Sequence, residues 1–194
     1  MRHVRQSVPV LALAVIAACE SPTTPRTTVP AVNEEGTILR VATTSTTGSG
    51  QFLLQDTIDA SFSFSAVRHA DGSATGRFHQ VFRLNGLTVD FHGGVTCLSI
   101  DPVTRRAWIG GVVWHNSSTH PSFTTPINQP GRDVWFRVVD YGGSAGDPAD
   151  RTTTLGFEGG AGIITSEEYC AVQPWPDHDA RTGPVTSGDI AVRE

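Results

Sequence analysis

Lysine is missing from this chain: all 14 basic residues are arginine, against 19 acidic ones, for a formal charge of −5. That balance leaves no basic patch to hold a phosphate backbone, so nucleic acid is excluded as a partner. Arginine throughout reads as the codon usage of a GC-rich genome. Helical periodicity is missing too. No 11-residue window beyond the N-terminal leader carries an apolar stripe at helical spacing, so the body of the chain is not expected to be helical. No serine nucleophile elbow, H-E-x-x-H, phosphate-binding glycine loop or dinucleotide fingerprint is expected, and therefore no cofactor. A site assembled from distant strands leaves no such local trace, so this lowers the case for an enzyme without closing it.

Long apolar runs are scarce, and the one at Val8–Ala18 is informative. Its 11 residues are about half of what a membrane-spanning helix needs, and Arg2 and Arg5 precede it. It reads as a signal peptide over residues 1–18. The run closes on Ile16-Ala17-Ala18-Cys19, which resembles the lipobox of bacterial lipoproteins. The resemblance implies cleavage before Cys19 and a diacylglycerol thioether on its sulfur. The alternative is an ordinary signal peptide that happens to end at a cysteine. Several acyl chains, at roughly 0.8 kcal/mol per buried methylene, hold a protein on a bilayer without a spanning segment. The expected place is therefore membrane-anchored and extracytoplasmic: periplasm, outer membrane or cell surface. Glu20 alone does not choose among these.

Residues 19–36 carry three prolines, four threonines and little to bury, and read as a tether. Residues 37–194 are long enough for one domain with a sizeable core. Of the three cysteines, Cys19 takes the lipid, and Cys97 and Cys170 remain to pair in an oxidising compartment. Two separately buried thiols are the alternative.

The most informative stretch is Ser61 to Ile100. Asn85-Gly86 suits a two-residue type I′ turn between alternating apolar residues. Counting back from Leu84 opposite Leu87, Phe82 faces Val89, Gln80 faces Phe91 and Phe78 faces Gly93 on a buried side. Val81 then faces Asp90, and His79 faces His92, on the polar side. The preceding strand shares this parity only if Ala70-Asp71-Gly72 is a three-residue loop with Gly72 left-handed, which pairs Phe64 with Phe78.

The remaining strands are expected at Thr37–Thr43, Gln51–Leu54, Val95–Ile100, Arg106–Trp114, Asp133–Asp140, Thr152–Phe157 and Ile190–Arg193. A flexible connector is expected between the first two. Arg106–Trp114 is apolar on both faces, which points to an interior strand of a two-layer stack. Residues 115–132 show no period, and Cys170 and Trp175 fall in loops. The fold class expected is all-β, eight to ten mostly antiparallel strands in a sandwich, with a barrel as the alternative.

The runs SFSFSAVRHADGSATG, HGGVTCLSI, AWIGGVV and FRVVDYGG resemble an uncharacterised group of secreted bacterial β-proteins, over about residues 45–193. The resemblance implies fold and export, and implies no activity.

Three sets of residues are candidates for a site. His79, His92 and Asp90 share a face, where cross-strand imidazoles and a carboxylate can converge on one metal ion. A solvated polar face explains the same pattern. Asp140, Asp147 and Asp150, among glycines, offer oxygen ligands for calcium or simply turn residues. His115 and His120, near Trp114, form a possible ligand-binding lip. The function expected is a membrane-anchored binding or structural lipoprotein without catalysis, its protein or carbohydrate ligand unidentified. The rivals are a metal-dependent hydrolase using His79, His92 and Asp90, and a carbohydrate-binding module using exposed tryptophans such as Trp114, Trp135 or Trp175.

Overall fold

The computed structural model describes residues 42–55, 57–159, 162–176, 179 and 181–194. The expected signal peptide, the Cys19 expected to carry lipid, the expected tether and most of the expected strand at 37–43 lie outside the described residues.

Antiparallel strands β1 (Ala42–Leu54), β2 (Ile58–His69), β3 (Ala74–Leu84), β4 (Leu87–Asp101), β5 (Arg106–Asn116) and β6 (Asp133–Val139) follow one another as a meander. Then come β7 (Arg151–Thr153), β8 (Gly156–Phe157), the helix α1 (Ser166–Val172) and β9 (Thr182–Arg193). Strand β9 pairs with β1 on one side and with β7 on the other, and β5 pairs with β6, so eight strands close a ring. The all-β expectation holds, and the closure is the barrel rather than the sandwich. A long meander with a right-handed twist brings its last strand back to its first, which removes both sheet edges.

The central register is as the turn chemistry dictates. Asn85 and Gly86 have φ of 51° and 79°, and Leu84↔Leu87, Phe82↔Val89, Gln80↔Phe91 and His79↔His92 are paired. The three-residue loop closes with His69 N donating to Ser73 O at 2.8 Å, Gly72 has φ of 84°, and Phe64 opposes Phe78. The phenylalanines thus fill the barrel. Phe136, from β6, packs edge-on against Phe64 at 5.3 Å and Phe78 at 5.8 Å. Eight strands leave an interior just wide enough for side chains to fill. Glycine makes room where rings lie flat on the wall: a Cβ on Gly93 would meet Phe78 Cζ at 2.1 Å, and one on Gly48 would meet Phe64 Cε1 at 2.6 Å.

Four expectations need correction. The supposed connector around Ser45–Gly50 is the middle of β1, because hydrogen bonding to both β2 and β9 overrides its weak local preference. Strand β5 is dry on both faces from Arg106 to Gly111, but a helix covers its outer side there. Trp108, Trp135, Ile163 and Tyr169 form a second buried cluster there, beneath α1. Cys170 therefore lies in a helix, not a loop. Thr165 caps it by accepting from Glu168 N at 3.1 Å, the Thr-x-x-Glu start signal on a helix too short to show periodicity. Residues 115–132 are ordered. They include two 3-10 turns, Pro121–Phe123 and Pro126–Asn128, and Phe123 packs against Phe82 and Phe91.

The disulfide joins Cys97 to Cys170 with Cα atoms 6.2 Å apart. Strict alternation would turn Cys97 inward with Val95. A bulge between Val95 and Cys97 turns it out to α1, while Leu98 rejoins the core.

Candidate functional site

The register assembles an outward row across six strands. Asp189 (β9), Ser49 (β1), Ser63 (β2), His79 (β3), His92 (β4) and His115 (β5) are successive cross-strand partners. The serines in the middle are short, and the side chains flanking them are long. The result is a trough of about 660 Å³, walled by Arg77, His79, His92 and Trp114 on one side and by Asp189 and Arg193 on the other.

Trp114 is 60% exposed. A bulge between His92 and Gly93 leaves Trp114 unpaired, with Val113 opposite Gly93 and His115 opposite His92, so Trp114 and His115 both face outward. The indole lies over Gly94, where a Cβ would come within 2.1 Å of it. Glycine at 94 is therefore what lets the ring lie flat on the wall.

Beside the trough, the imidazoles of His79 and His92 stack at 3.8 Å with 10° between their planes. Asp90 Oδ1 sits 3.0 Å from His79 Nε2 and 3.4 Å from His92 Nε2. Burial, followed by the neighbouring His79, lowers the pKa of His92 below 6.5; Asp90 works against this and His115 adds to it. The neutral ring, with a free lone pair, is favoured. His115 is 6.2 Å from His92, ring to ring, and its Nε2 is 2.7 Å from Ser117 Oγ. His120 does not join the row. It accepts from Ser122 N at 3.3 Å and packs against Phe123.

The three aspartates are occupied elsewhere. Asp140 accepts from Val192 N and Asp150 from Ile190 N, each at 2.9 Å, so carboxylates satisfy β9 amides beyond its short pairing with β7. Asp140 also pairs with Arg105 at 2.5 Å, and Asp147 accepts from Ser144 N at 2.9 Å. Among the described residues, only His79, Asp90 and His92 bring three ligand atoms within 4.8 Å of one another.

The G-x-S-x-G spacing does occur, at Gly142–Gly146, although no elbow is expected from the sequence. Its serine lies in the irregular segment between β6 and β7, without the helix that a nucleophile elbow requires behind it.

Of the other tryptophans, Trp135 is buried and Trp175 is half-buried, with Arg137 and Arg181 over its ring. Sequence reading overlooks Ser49, Ser63, Arg77, Asp189 and Arg193. Their signal is the alternate polar residues of β1 and β2, meaningful only once β9 is known to pair with β1. Comparison with family models, with curated proteins and with solved structures finds no match for this chain.

Proposed function

We propose that this protein is a non-catalytic binding lipoprotein, held at the outside of a membrane through Cys19, and that its ligand is a carbohydrate taken in the trough beside Trp114. The observation that carries the reading is the exposed indole, laid flat beside hydroxyls, guanidiniums and a carboxylate. An aromatic face stacks on the apolar face of a sugar ring while Ser49, Ser63, Arg77, Asp189 and Arg193 offer hydrogen bonds to its hydroxyls. The core beneath is filled by phenylalanine, so the wall rather than the interior is the place for a polar ligand. No helix among the described residues is long and apolar enough to cross a membrane.

Fluorescence titration with neutral and acidic oligosaccharides tests the ligand. Saturable binding that disappears in Trp114→Ala is expected, and no response to any oligosaccharide would overturn it. Labelled palmitate should enter the wild type and not Cys19→Ser. The hydrolase on His79, His92 and Asp90 is the rival reading. Zinc-dependent hydrolysis of ester or phosphate substrates, abolished by His79→Ala, would replace the binding reading.

A further inference from the structure

The hairpin that begins at Asn85-Gly86 sets more than which side chains face outward. In an antiparallel ladder, hydrogen-bonded and non-hydrogen-bonded pairs alternate, and the pair flanking a two-residue turn is of the first kind. Counting from Leu84↔Leu87, the pairs Arg83↔Thr88, Val81↔Asp90 and His79↔His92 belong to the second kind. Side chains of such pairs stand closest together. That is why the two imidazoles stack, and why Asp90, two residues before His92 on the same face, reaches both rings with one oxygen.

Asp90 is also fixed in place from the far side. Its amide donates to Ser118 Oγ at 2.9 Å, and its carbonyl accepts from Ser117 N at 3.0 Å. The carboxylate is therefore presented on a backbone held by the ordered segment that follows β5, and it is only 23% exposed. Two Nε2 atoms and a carboxylate oxygen at these separations can share hydrogen bonds, with Nε2–H donating to Oδ1, or can hold one metal ion among them.

We propose that His79, Asp90 and His92 bind a divalent first-row transition metal ion of the zinc or copper class. Two imidazoles and one carboxylate match the ligand preferences of these ions, whereas calcium and magnesium favour all-oxygen sets. Three protein ligands leave coordination positions open. His115 stays outside the set, because Ser117 engages its Nε2. The proposal stands whether or not the trough takes a carbohydrate, because its test uses the metal alone.

Isothermal titration of the purified protein with zinc chloride and copper chloride, with calcium and magnesium chloride as controls, decides the matter. One equivalent of zinc or copper and no calcium or magnesium is the expected result. His79→Ala, His92→Ala and Asp90→Asn should each weaken binding about tenfold or more, whereas His115→Ala and His120→Ala should leave it unchanged. All five positions are at least partly exposed, and near-UV circular dichroism verifies that each variant is folded. Wild type without saturable zinc or copper binding would overturn the proposal. So would binding that survives the His79→Ala/His92→Ala double variant.

Discussion

Gln80 and Leu155 meet across the interior of the barrel. Leu155 N donates to Gln80 Oε1 at 3.1 Å, while Gln80 Nε2 donates to Thr153 O at 3.2 Å. In the ring of eight, β3 and β7 stand opposite each other. Strands β7 and β8 are two halves of one strand along β6, and the register slips between them, from Val138↔Thr152 to Trp135↔Gly156. The break at Thr154-Leu155 frees backbone groups from the ladder, and the Gln80 amide, reaching from the far wall, satisfies them. An amide in a row of phenylalanines is thus matched to an interruption some 75 residues later in the chain.

Replacing Gln80 by leucine should leave the Leu155 amide unpaired in the interior and take one of two donors from the Thr153 carbonyl, which keeps Thr152 Oγ1 at 3.3 Å. An unpaired buried group costs about 1–3 kcal/mol. A urea midpoint for Gln80→Leu that matches wild type would show that water or a backbone shift replaces the bonds.

Gly93→Ala should destabilise the barrel, because the new methyl would meet both the Phe78 ring at 2.1 Å and Val112 O at 2.4 Å. Overpacking of this kind costs roughly 1–3 kcal/mol. Gly143→Ala, where nothing lies within 4 Å of the added carbon, is the control and should be close to neutral in thermal denaturation.

Removing the Cys97–Cys170 crosslink, which spans a separation of 73 residues, should lower stability by roughly 4 kcal/mol on the loop-entropy account. Helix α1 is held independently by Asp133, which accepts from Ser166 N at 2.8 Å and Ser166 Oγ at 2.6 Å. The Cys97→Ser/Cys170→Ala variant should therefore keep the far-ultraviolet spectrum of the wild type while its denaturation midpoint falls.

Two carboxylates give the stability opposite dependence on pH. Burial pushes Asp179 up, but hydrogen bonds from Tyr141 and Arg106 and the charges of Arg106 and Arg151 outweigh it and hold its pKa below 3.8. Its contribution is therefore present above about pH 4 and lost as pH falls through the lowered value. At Asp150, burial and the charges of Asp140 and Asp189 raise the pKa above 3.8 against the amides of Ile190 and Tyr141. The contribution of Asp150 is full below that unfolded value and is lost as pH rises through the raised one. Denaturation midpoints measured from pH 3 to 7 should lose their steepest acid decline in Asp179→Asn. Asp150→Asn should be less stable throughout, since one of two accepted amides loses its partner, yet flatter on the rising side.

What the amino-acid order determined by itself is local and periodic. Alternation from Ser61 to Ile100, Asn85-Gly86 and the loop ending at Gly72 left a single parity that buries Phe64, Phe78 and Phe82, and that parity placed His79 beside His92. Only the tertiary structure decided the rest, because those features depend on contacts between residues far apart in the chain. The pairing of β9 with β1 closed a barrel where alternation alone also permitted a sandwich, and it completed the trough with Asp189 and Arg193. Two bulges, at Thr96 and Trp114, broke strict alternation and turned Cys97 and His115 outward, toward Cys170 and His92, partners that no short window of sequence contains.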